Sequence, residues 1–160
     1  MKKFVAVLFC NFATPALASD LFDPVGALNL EGVTAVHQTN ISACEDEGGE
    51  LSIRDEQLIF HYDFDHDGQI DMSVYDQFAL SCTVSNSLFH GSAGAVQYWY
   101  INGELVDYSY SRGWEIIDRN LPILLRFLHG GSCNDVGSTP CASATMIFED
   151  RFVRAGESES

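Results

Sequence analysis

Nine consecutive residues constrain this chain more than any other stretch: Asp63-Phe64-Asp65-His66-Asp67-Gly68-Gln69-Ile70-Asp71. Carboxylates at loop positions one, three, five and nine, with glycine at six, are the spacing by which a tight loop gathers its oxygens around one hard cation. Gly68 supplies the left-handed turn that such a path needs. Four carboxylates packed this closely repel one another by several kcal/mol at a protein surface, and a divalent ion removes that cost. Oxygen-only ligation in a flexible loop favours Ca2+ over zinc, and over magnesium, which dehydrates reluctantly. The expected ligand set is Asp63, Asp65, Asp67 and Asp71, with Gln69 acting through its backbone carbonyl. Position twelve, where a helix-loop-helix calcium hand places a bidentate glutamate, is Val74, so Asp76 is the candidate to complete the shell. The plain alternative is a hairpin turn at Asp67-Gly68 with solvated carboxylates and no ion.

The flanks are extended. Leu58, Phe60, Tyr62 and Phe64 alternate with less apolar neighbours, and Ile70, Met72 and Val74 alternate with Asp71, Ser73 and Tyr75, so the period is two on both sides of the loop. A β-loop-β hairpin is the expectation, with Ile70 pointing into the core. Ala95 to Ile101, the turn signal Asn102-Gly103, and Glu104 to Ile117 read as a second hairpin. Leu121 to Leu128 reads as a buried strand, and Ala144 to Val153 alternates again. Ser19 to Asn40 is weakly patterned and predicts at most a short helix or strand; Cys44 to Glu56 predicts an acidic turn followed by a strand. The fold class is mainly β, a small antiparallel sheet curled on itself or a sandwich.

The N-terminus has Lys2 and Lys3, an apolar run from Phe4 to Phe12, Pro15, and Ala16-Leu17-Ala18 before Ser19. That is the build of an export signal, so the expected organisation is a signal peptide at 1–18, one β-rich domain at 19–155 and a disordered tail at 156–160. Cys10 leaves with the signal, and four cysteines remain: Cys44, Cys82, Cys133 and Cys141. Three pairings are possible in an oxidising compartment. The turn-rich Asn134 to Pro140 favours Cys133 with Cys141, and hence Cys44 with Cys82. Removal of both lysines leaves 6 arginines against 23 acidic residues, a charge of −17, which excludes nucleic acid as a partner. No second apolar stretch is long enough to span a membrane, so no transmembrane segment is expected after the signal. A periplasmic or secreted location follows.

Asp65 to Val74 resembles the aspartate-rich loop and following strand of FG-GAP or VCBS-type repeats, although one copy cannot build a propeller. A longer resemblance is to small secreted proteins of alphaproteobacteria without an established function. It rests on Cys44 with Gly48-Gly49, the loop Asp63 to Asp71, Trp114, Leu121 to Cys133, Cys141, and Glu149-Asp150-Arg151-Phe152. Those proteins often carry another cysteine pair where this chain has His90 to Ala95, so the resemblance implies no third bridge here.

Other chemistry is weakly signalled. His129-Gly130-Gly131-Ser132-Cys133 invites a small periplasmic hydrolase using His129 and an acidic residue, but the Gly-x-Ser-x-Gly elbow is missing, and a histidine packed beside a disulfide loop is the simpler expectation. His37, His61 and His90 are isolated, and carboxylate pairs drawn from Glu104, Asp107 or Glu115 are unspecific in so acidic a chain. Tyr98, Trp99, Tyr100, Tyr108, Tyr110 and Trp114 form the densest aromatic block, mostly core, with an exposed subset able to bind a protein or glycan of the envelope. The resulting expectation is a calcium-binding, disulfide-braced domain that binds rather than catalyses. A hydrolase, or an inhibitor of a cationic enzyme such as lysozyme, are the alternatives.

Overall fold

The computed structural model describes residues 31–54, 57–148 and 151–154. The signal-peptide reading of residues 1–18 and the tail at 156–160 lie outside them. The molecule is mainly β: among the described residues one α-helix, α1 (Glu31–Asp46), precedes eleven short strands that are all antiparallel. These are β1 (Leu51–Ile53), β2 (Ile59–Tyr62), β3 (Met72–Asp76), β4 (Leu80–Cys82), β5 (His90–Gly91), β6 (Gly94–Ile101), β7 (Glu104–Ser111), β8 (Gly113–Ile117), β9 (Ile123–Leu128), β10 (Cys141–Phe148) and β11 (Arg151–Arg154).

The strands form a five-stranded sheet, a four-stranded sheet and a small β1–β4 pair. The first has the order β2-β3-β6-β5, with β7 along the opposite side of β6, and the second has the order β11-β10-β9-β8. Strand alternation sorts the five-stranded sheet into two faces. Ile59, Tyr75 and Tyr100 pack on α1 and the β1–β4 pair through Val33, Cys44, Leu80 and Cys82. Met72, Val74, Trp99 and Ile101 face the four-stranded sheet through Leu124, Ile147, Trp114, Ile116 and Phe152. The result is three layers, helix on sheet on sheet. β3, between β2 and β6, is buried at every residue even though it carries Ser73 and Asp76.

The helix corrects the expectation for Ser19 to Asn40. Its inward stripe runs Val33, Val36, His37, Asn40 and Cys44, spaced three or four apart. Two of those five are polar, so the apolar period is diluted below recognition. They are satisfied individually: Asn40 Nδ2 donates to Tyr75 Oη at 3.0 Å, Gln77 Nε2 donates to Asn40 Oδ1 at 2.8 Å, and His37 Nδ1 lies 2.9 Å from the same hydroxyl. Accepting from Asn40 leaves the Tyr75 hydroxyl proton able to serve His37 Nδ1 in the tautomer that leaves this nitrogen unprotonated.

Glu104 to Ile117 also departs from a single strand. Asn102 and Gly103, at φ 50° and 82°, make the expected tight turn into β7, but the chain leaves that sheet at Arg112 and β8 begins the next one. Within β7 the register slips beside Trp99 and Tyr100, where Val106 is the extra residue of a bulge. Leu121 to Leu128 is a strand from Ile123 on, and only Leu124 in it is fully enclosed. Both disulfides form as expected, Cys44 to Cys82 with Cα atoms 5.7 Å apart and Cys133 to Cys141 at 6.1 Å. The first ties the end of α1 to β4; the second closes the loop between β9 and β10.

Candidate metal loop

The loop joins β2 to β3, and its backbone is organised by its own carboxylates. Asp63 accepts from Asp67 N at 3.2 Å and from Gly68 N at 2.8 Å, and Asp65 Oδ1 accepts from Asp67 N at 3.1 Å. Asp71 Oδ2 accepts from Phe64 N at 2.6 Å, pulling the two ends of the loop together. Below it the ladder closes through Asp71 N to Tyr62 O at 2.9 Å, and Asn102 N donates to Asp71 O at 3.0 Å. His66 and Gly68 take positive φ, 61° and 89°, which curls the chain around the carboxylates.

The consequence is a convergence. One carboxylate oxygen each from Asp63, Asp65 and Asp71 lies within 4.8 Å of the others. Oxygens bound to one calcium at 2.3–2.6 Å can be at most about 5 Å apart, so a group gathered this closely could hold a metal ion. Asp63 and Asp71 are half-buried and Asp65 is exposed, leaving an opening for an ion to enter.

Two expected ligands stand differently. Asp67 turns its carboxylate to Gln69, accepting from the backbone N at 2.8 Å and from Nε2 at 2.7 Å, and so stays outside the convergent group. Gln69 is exposed. Ile70, expected in the core, is 53% exposed, because strand alternation begins only at Met72 and Asp71 takes the inward place beside Phe64.

Asp76 is not a sixth ligand. It lies at the far end of β3, buried, where Oδ1 accepts from Phe78 N at 3.0 Å and Gln97 Nε2 at 3.1 Å, and Oδ2 accepts from Trp114 Nε1 at 2.8 Å. Ser111 Oγ then donates to Gln97 Oε1 at 2.7 Å. This carboxylate at the join of the two sheets looks in sequence like any other acid of the chain; only its place in a strand of alternating apolar residues hints at burial.

Beside the loop, Tyr62 and Phe64 stack at 5.8 Å, and Tyr62 meets Trp114 edge-on at 6.2 Å. Burial raises the Tyr62 pKa. The loop therefore rests on the aromatic cluster that joins the two sheets. Elsewhere in the aromatic block, Trp99 and Tyr100 are core, whereas Tyr108 and Tyr110 are 68% and 64% exposed. Tyr108 stacks on Tyr98 at 6.1 Å, and burial, then the neighbouring Tyr110 and Tyr108, push the Tyr98 pKa up.

His129 is built into the second disulfide loop. Its Nδ1 accepts from Gly131 N at 3.2 Å, and its ring lies so close to Gly137 that a side chain there would meet Nε2 at 2.2 Å. Gly130 N to Gly137 O and Asp135 N to Gly130 O close the same loop. This supports the packing role for His129. His37, His61 and His90 lie in α1, β2 and β5, with His61 Nδ1 2.8 Å from Ser73 Oγ. Compared with protein-family models, with curated proteins and with solved structures, the chain matches none of them.

Proposed function

We propose that this is an extracytoplasmic, calcium-binding domain that acts by binding rather than by catalysis. The observation that carries the reading is the convergence of Asp63, Asp65 and Asp71 on one small volume between two strands. Those three carboxylates would hold the ion directly, Gln69 would add its backbone carbonyl, and Asp67 would join once it released the Gln69 amide. The ion would supply the charge that lets the carboxylates stay together, and so would fix the β2–β3 hairpin under the Tyr62–Phe64–Trp114 cluster.

Two disulfides support an oxidising compartment, where millimolar-range calcium suits a site lacking a bidentate glutamate. No helix among the described residues is long and apolar enough to cross a membrane. A charge of −15 over the full chain supports a cationic partner, drawn in by long-range attraction, with the exposed Tyr108 and Tyr110 as contact points. Inhibition of a cationic enzyme is one form such binding would take.

Calorimetric titration with calcium tests the site. Wild type should give a saturable signal that Asp65→Ala abolishes and Asp67→Ala weakens. Identical heats in all three proteins would remove the metal from the account.

A further inference from the structure

The two disulfides stand in opposite surroundings. Cys44 and Cys82 are both 0% exposed, and Gly49 lies over their sulfurs, so close that a side chain there would meet Cys82 Sγ at 2.6 Å and Cys44 Sγ at 3.0 Å. Cys141 is 8% exposed, at the first position of β10 opposite Leu128, but its partner Cys133 is exposed on the loop between β9 and β10. Of the four half-cystines, Cys133 is the one that a reagent from solvent can reach.

Charge separates the bridges in the same sense. A thiolate approaching Cys44 meets Glu45, Asp46, Glu47 and Glu50, all exposed, and the last turn of α1 holds no basic residue. From His129 to Cys141 the chain has a single acid, Asp135, and the Arg112 guanidinium reaches this loop, donating to Gly137 O at 3.4 Å. An anionic nucleophile is therefore repelled at the first bridge and not at the second.

Hydrogen bonds hold the loop besides its bridge. Gly130 N donates to Gly137 O at 3.3 Å, Asp135 N to Gly130 O at 3.1 Å and Thr139 N to Val136 O at 3.0 Å, while the His129 ring packs on Gly137. Cys141 is fixed by the ladder between β9 and β10. These contacts keep the two sulfurs near each other once the bond between them is broken.

We infer that the Cys133–Cys141 bridge is a site of reversible thiol–disulfide exchange with an external thiol, and that Cys133 is the sulfur attacked. The external thiolate bonds to Cys133 Sγ, the Cys133–Cys141 bond breaks, and the electron pair leaves on Cys141 Sγ, which takes up a proton from water. Cys141 is then the resolving thiol: once deprotonated it attacks Cys133, expels the external thiolate and restores the bridge. Alternatively, a second external thiolate attacks the outer sulfur of the mixed disulfide and frees Cys133 as a thiol, so that two external thiols are oxidised and the bridge is reduced. The loop between β9 and β10 thereby answers to the redox state around the molecule, whereas the bridge between α1 and β4 does not.

The test uses the folded, oxidised full chain carrying Cys10→Ser, which leaves only the four bridged cysteines. Reduced glutathione is added at about pH 8 without denaturant, and acid-quenched samples are mapped by peptide mass. One glutathione should appear on Cys133 with a free thiol at Cys141, followed by two free thiols, at least about tenfold faster than Cys44 and Cys82 open, and with a cooperative thermal transition retained. Excess oxidised glutathione should close the bridge again, and with Cys141→Ser added it should leave one glutathione held on Cys133. Glutathione on Cys141, or earlier opening of Cys44–Cys82, would overturn the inference. So would release of all four thiols at one rate, or a bridge that stays closed until the chain unfolds, because exchange would then need global unfolding.

Discussion

Trp114 Nε1 donates to Asp76 Oδ2 at 2.8 Å, and with that bond β8 of the four-stranded sheet is fastened to β3, an inner strand of the five-stranded one. Among the described residues this buried carboxylate joins no ion pair and accepts instead from three N–H donors, of Phe78, Gln97 and Trp114. Such charge-assisted bonds are worth about twice a neutral one, and a buried donor left unmet costs about 1–3 kcal/mol. Asp76→Ala strands two side-chain donors and should cost roughly 3–5 kcal/mol, and Trp114→Phe roughly 1–3 kcal/mol. Urea unfolding of the two variants measures both. Losses below about 1 kcal/mol would mean that the sheets are held by apolar packing alone.

The two disulfides should differ in weight. Cys44 and Cys82 are 38 residues apart and Cys133 and Cys141 only 8. Chain-entropy arguments give about 4 kcal/mol for the first and about 2.5 kcal/mol for the second. Unfolding of the paired alanine variants should show that order, and the reverse order would show that the loop around His129 matters more than its length implies.

Acid should weaken the contact between helix and sheet. Burial lowers the pKa of His37 below 6.5, and the same cause acts on His61. A group whose folded pKa is depressed contributes stability that is present above its unfolded value and lost as the pH falls through the folded one. Stability should therefore decline below about pH 6.5 as His37 takes a proton and can no longer accept from Tyr75. His37→Gln keeps an acceptor that does not titrate, so the fall in unfolding free energy between pH 7 and pH 5.5 should be smaller in that variant. Parallel pH profiles would contradict this assignment of the Tyr75 proton.

The hairpins were legible in the sequence because turn chemistry and period two agree there: Asn102-Gly103 turns where a tight turn needs positive φ twice, and the loop before Met72 is set by its aspartates and Gly68. The helix was not, because His37 and Asn40 occupy the inward stripe and meet partners on β3 and beside it that only the fold supplies. Asp76 was misread for the same reason. In the candidate metal loop, Asp63, Asp65 and Asp71 come together as their spacing implies, while Asp67 and Ile70 answer to local bonding that spacing does not encode.

The central claim concerns those three carboxylates, and thermal unfolding of the intact protein in excess calcium and in excess chelator tests it most directly. At a calcium concentration about a hundred times the dissociation constant, a site present only in the folded state adds about 2.7 kcal/mol. For a chain of this size that raises the transition by roughly 5–10 °C, and Asp65→Ala should remove the difference. The same transition temperature for the wild type in both buffers would contradict the claim.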